Sequence, residues 1–283
     1  MTRAEVPAWT PHPEVWLLVA GLVAAYAVAT LRLGPRLAPD PARPVTRFQL
    51  GALGAAALAL LVASDWPIHD VAEGYLFSVH MLQHLTYSTI VAPLVLLAVP
   101  AWMAREVLVR TRLLGVVRVA ARFLPATVLF NVVLVTTHLP PVVDQAVRNP
   151  MVHLGIHTVV LLSAIVVWLP ILSPLPEIPR LTGLAAMGFL FLQSIVPTVP
   201  ASWLTFNDRP LYRIYETFDR LWGVTPISDM RMAGLMMKTG AGAILWIVIA
   251  IVFFRWYATE EPDHRPGRVT RDLDRELMGL SRP

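Results

Sequence analysis

Seven stretches of this chain are apolar for long enough to cross a bilayer: roughly residues 14–33, 48–66, 75–99, 123–139, 151–171, 181–204 and 230–257. The hydrocarbon core is ~30 Å thick and an α-helix rises ~1.5 Å per residue, so a span takes ~20 residues. A barrel strand needs only ~10. The expectation is therefore an all-α polytopic membrane protein, a seven-transmembrane-helix bundle filling residues 1–258 as one domain. A charged tail at 259–283 follows it. Composition agrees: 56% of residues are hydrophobic, 15% are charged and the mean hydropathy is +0.60. Soluble domains are nearer half apolar and a quarter charged. The fourth run is interrupted by Pro125 and Asn131, and Pro93, Pro170, Pro197 and Pro200 fall inside or at the end of others. Each is read as a kink that shapes the bundle, since a proline in a helix frees a carbonyl for another partner.

Arginine sets the orientation. Alternate connections hold sixteen arginines on one side (Arg32 to Arg47, Arg105 to Arg122, Arg180, and Arg255 onward) and six on the other. Basic residues mark the cytoplasmic side, so the N-terminus is expected outside and the C-terminus inside. The first run is too long for a signal peptide core. Arginines rather than a cleavage site follow it, so it reads as an anchor. The expected location is a bacterial plasma membrane, with the arginines meeting lipid headgroups rather than nucleic acid.

Histidine is where the sequence turns toward chemistry. His80/His84 and His153/His157 are each spaced i,i+4, which puts both imidazoles of a pair on one helix face, a turn apart. In the expected topology the third and fifth spans both begin at the outer face, and His138 sits at the outer end of the fourth. Five imidazoles on three helices therefore share one depth. His69 precedes the third span and His12 the first. Polar groups in hydrocarbon are costly, about 2.5–3.5 kcal/mol for a charged one on insertion scales, and need a partner. A metal ion supplies it: imidazole donates to copper or zinc, and thioether suits Cu(I). Cysteine is absent, so a metal must use His, Met, Asp, Glu or backbone oxygen. Gln83, Tyr87, Asn131 and Asp144 are candidate acceptors for the second ring nitrogens. Asp229, Met232 and Met236, with Met237 beside them, form a stripe near the outer end of the seventh span. The methionines are read as core packing ahead of ligation. Lys238, the one lysine, lies inside that span.

These residues carry a resemblance. Phe77-Ser-Val-His80-Met-Leu-Gln-His84-Leu, with Ala92-Pro93-Leu94 and Pro100 after it, resembles the HMxQH…APLLL…P signature of the caa3-type cytochrome c oxidase assembly factors (CtaG-like). His138-Leu-Pro…Asp144 is similar to the family's WHxPxxYD segment. Asn149-Pro150-Met-Val-His153-Leu-Gly-Ile-His157 with Trp168-Leu-Pro170 is similar to its NPxxHxxxH…WP segment. Leu211-Tyr212-Arg-Ile-Tyr215 and Asp229…Ala233-Gly234…Met237 fit its last outer loop and final span. Departures are Thr137, Val143, Met230 and Lys238, where the family usually has Trp, Tyr, Gln and Trp. The resemblance covers about residues 14–257. It implies a non-enzymatic membrane protein that helps mature a haem-copper oxidase. His80, His84, His138, His153 and His157 would hold copper for delivery or insertion. Its partners would be oxidase subunits and periplasmic copper chaperones.

Two rivals remain open from the residues. A bis-histidine haem protein would take axial ligands from facing helices, although tight HxxxH pairs suit a small ion better. A metal or proton transporter would need a polar path to the inner side, where 94–99, 163–168 and 245–254 are apolar. No hydrolytic triad, phosphate loop or HExxH is present.

Overall fold

The computed structural model of the chain describes residues 7–260. Every regular element among the described residues is helical. Six helical segments are long and apolar enough to span a membrane: Pro13–Arg32, Arg47–Ser64, Phe77–Ala98, Pro150–Leu172, Gly183–Phe206 and Pro226–Thr259. They are called here the first, second, third, fifth, sixth and seventh spans. The fourth, expected at 123–139, is present within two residues of that range but is too short to count as a span by itself. It is a helix of 15 residues, Phe123–Thr137, preceded at an 85° bend by the short helix Leu114–Ala120. Six crossings thus stand alone, and a seventh exists if the bent pair is counted as one. The helix of the seventh span is Pro226–Glu260. The expected charged tail from residue 261 onward lies outside the described residues.

The connections sort into two ends. At one end, the Trp102 indole donates to the Pro44 carbonyl at 2.8 Å, Arg105 pairs with Glu177 at 2.6 Å, and Arg118 donates to the Glu177 carbonyl. This arginine end gathers the connections after the first, third and fifth spans. At the other, the Trp16 indole donates to Asp65 at 2.6 Å, His12 meets Asp70, His153 meets Glu73, and the Tyr212 hydroxyl donates to the His138 carbonyl. This is the histidine end. Successive spans therefore run antiparallel, as an up-and-down bundle requires. The seventh span packs on the third and the sixth, and the fifth packs on the third and fourth. The first leans mainly on the second among the spans, with the Tyr26 hydroxyl donating to the Ala98 carbonyl of the third at 2.9 Å, and most of its side chains are exposed to the surroundings.

Local chemistry sets the helix boundaries. Thr46 and Gln49 form a reciprocal capping box on the second span. Asn149 accepts from the Met151 and Val152 amides, and Pro150 takes the first turn, where no amide is needed. The third span changes character midway: residues Tyr87–Val91 form a π-turn, with the Ala92 amide donating to the Tyr87 carbonyl. Pro93 explains this. Its ring would press on the carbonyl four residues earlier in an unbroken helix, and the wider turn removes the clash. The Ser88 carbonyl in the π-turn is taken up by the Trp168 indole at 2.8 Å, and the Pro170 carbonyl by the Leu181 amide at 2.7 Å. The sixth span breaks between Ile195 and Thr198, at Pro197. Pro93 is therefore met with a wider turn and an indole partner, while the Pro170 carbonyl, at the end of its helix, is taken up by the next segment.

Apolar packing fills the arginine half, where Leu96, Trp168, Leu169, Ile171, Phe189, Leu190 and Leu245 form one cluster. Toward the histidine end the core is built from Phe77, Met81, Leu204, Tyr212, Tyr215, Met230 and Met237. The sixth and seventh spans pack tightly at Gly234. A Cβ there would lie 2.6 Å from the Ala201 carbonyl and would also strike Thr205. Small residues at such crossings let helices pack closely in lipid. Gly234→Ala should therefore lower the melting temperature of detergent-purified protein, at a cost of about 1–3 kcal/mol. Gly242→Ala, which meets nothing within 4 Å, should leave it unchanged.

Candidate metal centre

The third span brings the first pair of imidazoles into place, and its start is held from outside the helix. Leu76 precedes the first turn and has no side-chain oxygen to cap it. Asp229, on the seventh span, does so instead: its two carboxylate oxygens accept from the Phe77 amide at 2.7 Å and the Ser78 amide at 3.0 Å. The carboxylate is thereby committed to the backbone and sets the position of His80 and His84, one and two turns further on. Asn149 does the same locally for the fifth span, with His153 and His157 in its first turns. His138 closes the fourth span at its C-cap.

These elements bring the five predicted histidines together. Ring centroids lie 4.5 Å apart for His80 and His84, 5.2 Å for His80 and His157, and 4.8 Å for His84 and His157. One ring nitrogen from each of these three falls within 4.8 Å of the others. Nitrogens around one bound ion stand ~3.5 Å apart, given ~2.0–2.1 Å bonds, so a closing movement of ~1 Å completes a three-imidazole set. His153 adjoins it, 4.2 Å from the His157 ring and 5.2 Å from His80. His138 stands on the other side, 6.3 Å from His84. Its Nδ1 lies 2.7 Å from the Leu134 carbonyl. A carbonyl only accepts, so Nδ1 carries the proton and Nε2 keeps its lone pair.

The decisive feature is what the imidazoles lack. His80 Nδ1 and the Nε2 atoms of His84, His138, His153 and His157 are all buried without a hydrogen-bond partner. Buried polar atoms are nearly always paired. A cleft of about 20 Å³ lies among His80, His84, His153 and His157, closed by Val143, Val147 and Tyr215. On the far side of His84 and His138 a separate cavity of about 70 Å³ reaches Trp168 and Met237. The donor set suits a borderline or soft cation.

The residues expected to support the histidines divide. Tyr87 stacks edge-on against His157 at 5.3 Å and bonds Ser64 through its hydroxyl. Met237 is buried and lines the cavity beside His84 and His138. Gln83 donates to the Ala63 carbonyl at 2.6 Å, and Asn131 donates to Gln193 and to the Thr127 carbonyl. These two amides thus tie spans together and hydrogen-bond no imidazole. Asp144 lies on the helix Pro140–Arg148, whose Val143 and Val147 face the cleft, and its Oδ1 has no partner. The methionine stripe is corrected: Met232 is 54% exposed and points out of the bundle, while Met230, Ala233 and Met237 point in. Met236 is half-buried and lines none of these cavities. Lys238 is exposed.

Two groups escaped the sequence reading. Glu73 follows His69 at i,i+4 and lies 3.3 Å from both His69 Nε2 and His153 Nε2. Its i,i+4 spacing was the available signal. Tyr215 covers the cleft from the 3₁₀ turn Arg213–Thr217, and Tyr212 anchors that loop through His138. Burial raises the pKa of both phenols, which stay protonated. Further out, His12 bonds Asp70 at 3.0 Å and Glu14 at 3.1 Å. Burial lowers the pKa of its imidazole, but these two carboxylates outweigh that and leave it raised.

Residues 24–259 match the sequence model of a family described as the cytochrome c oxidase caa3 assembly factor (Caa3_CtaG). The chain belongs to this family. Neither a curated protein nor a solved structure matches it. As a caa3 assembly factor the protein is a multi-pass membrane protein associated with cytochrome c oxidase maturation. The match spans every helix that carries a clustered histidine.

In this assembly factor Asp229 acts on the site through the backbone of the third span. Asp229→Ala should leave two buried amides unpaired and reduce stability by about 1–2 kcal/mol, seen as a lower melting temperature in detergent. Asp229→Asn, which offers one acceptor where two are used, should fall between the variant and the parent.

Proposed function

We propose that this assembly factor binds copper through His80, His84 and His157, with His138 and His153 adjoining, and passes it to the oxidase. The observation that supports this is the convergence of unpartnered imidazole nitrogens at one buried point. Copper here is cargo. Three imidazoles leave a coordination position open for an acceptor's ligand, and the site lies within a few turns of the histidine end. The arginine count argues that this end faces outward from a bacterial plasma membrane. Periplasmic copper chaperones are then the natural donors and oxidase subunits the acceptors. The role is one of binding and delivery, without catalysis.

The rivals have less support. A haem needs a flat macrocycle between its axial ligands, whereas rings only 4.2–5.2 Å apart and a cleft of about 20 Å³ suit a bare ion. A transporter needs a polar path, and the arginine half is filled by Leu96, Trp168, Leu169 and Phe189.

Metal analysis of protein purified from copper-supplemented cells tests the reading. The expected result is about one copper per chain, with affinity at least tenfold weaker after His84→Ala plus His157→Ala. Met232→Leu, at a lipid-facing position, should retain the metal. Cells carrying the double variant should accumulate oxidase deficient in copper, measured by its near-infrared and EPR signals. An unchanged copper affinity in the double variant would overturn the assignment. A Soret band in the pure protein would favour haem.

A further inference from the structure

A second set of donors stands between the deep imidazoles and solvent. Glu73 ends the short helix Ile68–Gly74, which also carries His69. The Glu73 Oε1 atom is 3.3 Å from His69 Nε2 and 3.3 Å from His153 Nε2. Two ring nitrogens, one from this short helix and one from the fifth span, thus flank one carboxylate oxygen, and these imidazoles must close in further than those of the deep set to share an ion. Yet His153 Nε2 has no hydrogen-bond partner, because the carboxylate is near without being aligned to accept from it. An orienting hydrogen bond of the usual kind is therefore not what this contact provides. Two imidazoles and one carboxylate form a donor set suited to first-row transition cations, and the carboxylate offsets part of the ion's charge.

Position adds a second argument. Side-chain exposure falls from 41% at Glu73 to 24% at His69 and 12% at His153. A groove of about 320 Å³ lined by Glu14, His69, Glu73, Tyr87, His153 and His157 leads along this gradient. His153 and His157 are in ring contact at 4.2 Å, so the groove reaches the deep set at His157, and beyond it runs on between apolar side chains, Leu60 and Leu161 among them. The two sets share no ligand: His80, His84 and His157 form one, and His69, Glu73 and His153 the other.

We propose that His69, Glu73 and His153 form a second, outer metal-ion position that receives a copper ion from solution and hands it to the deep imidazoles. This rests on the reading of the deep set as a copper site. Two cations in such close positions repel each other, so filling the deep position weakens the outer one. The outer ion is held long enough to be passed inward and is exchangeable when the deep set is full. No redox change or proton-coupled bond breaking is needed: the ion exchanges nitrogen and oxygen ligands one at a time.

The experiment titrates detergent-purified full-length protein with Cu(II) sulfate and reads EPR and stoichiometry. The native chain should bind one tight and one weak equivalent. His84→Ala plus His157→Ala should keep one equivalent, with the EPR signature of mixed nitrogen and oxygen ligation. Glu73→Gln plus His69→Ala should lose the weak equivalent and slow copper uptake from a coloured chelate at least fivefold. The outer position is disproved if the deep-site variant binds no copper, or if the Glu73→Gln plus His69→Ala variant keeps both equivalents and the native uptake rate. Failure of the underlying reading looks different: the native chain would then bind only the weak equivalent, and loss of His84 and His157 would not change it. Gel filtration of each variant as a single species checks that both variants fold. Because the two variants alter different helices, one of them suffices if the other does not fold.

Discussion

Inside a bilayer a polar group has no water to turn to, and this protein can be understood from how each of its buried polar groups meets that demand. Most meet it in pairs. Asn131 and Gln193 join the fourth and sixth spans, and Gln193 also donates to the Thr127 hydroxyl. Gln83 reaches the backbone of the second span, and Trp168 takes a carbonyl in the π-turn of the third. Such interhelical bonds contribute about 0.6–2 kcal/mol each. Together they hold the bundle in one register. Single oxygens of Gln83, Asn131 and Asp144 are also left without a partner, but the imidazoles stand out because five unpartnered ring nitrogens gather in one place. Donors kept free in a place where freedom is costly are what the copper-binding proposal rests on.

The rigid parts of the structure are arranged around that exception. Asp229 fixes the start of the third span from the seventh, Asn149 fixes the start of the fifth, and Tyr212 ties the last loop to the end of the fourth. Three helices are thereby anchored at the same end, each within two turns of a clustered histidine. Gly234 lets the sixth and seventh spans close behind them. The cluster is thus preorganised by its neighbours while its own nitrogens stay available.

Much of this was legible in the sequence. The apolar runs located six of the helices to within a few residues, because hydropathy over ~20 residues is a strong signal. The HxxxH pairs located the cluster, because helical periodicity fixes which side chains share a face. What failed to show was anything set by contact between distant segments. The fourth run was located as well, but composition carried no information about the helix Leu114–Ala120 set at 85° before it. Asp229 read as a candidate ligand because its two partners are backbone amides some 150 residues away. Gln83 and Asn131 could not be assigned to the second and sixth spans before packing was known. Met232 looked like part of an inward stripe because the phase of a uniformly apolar helix is set by its neighbours, and here Met230, Ala233 and Met237 face inward. Glu73 was passed over as one of several acids in a connection without basic residues.

The brevity of the fourth helix has a consequence for the lipid around it. Fifteen residues rise only ~22 Å, well short of a ~30 Å hydrocarbon layer. A short span is accommodated by local thinning of the bilayer. The headgroup region is therefore drawn inward beside Thr137 and His138, where the helix stops. Where thinning is the accommodation, hydrophobic mismatch on this flank would bring the aqueous boundary closer to the imidazoles than their sequence depth implies.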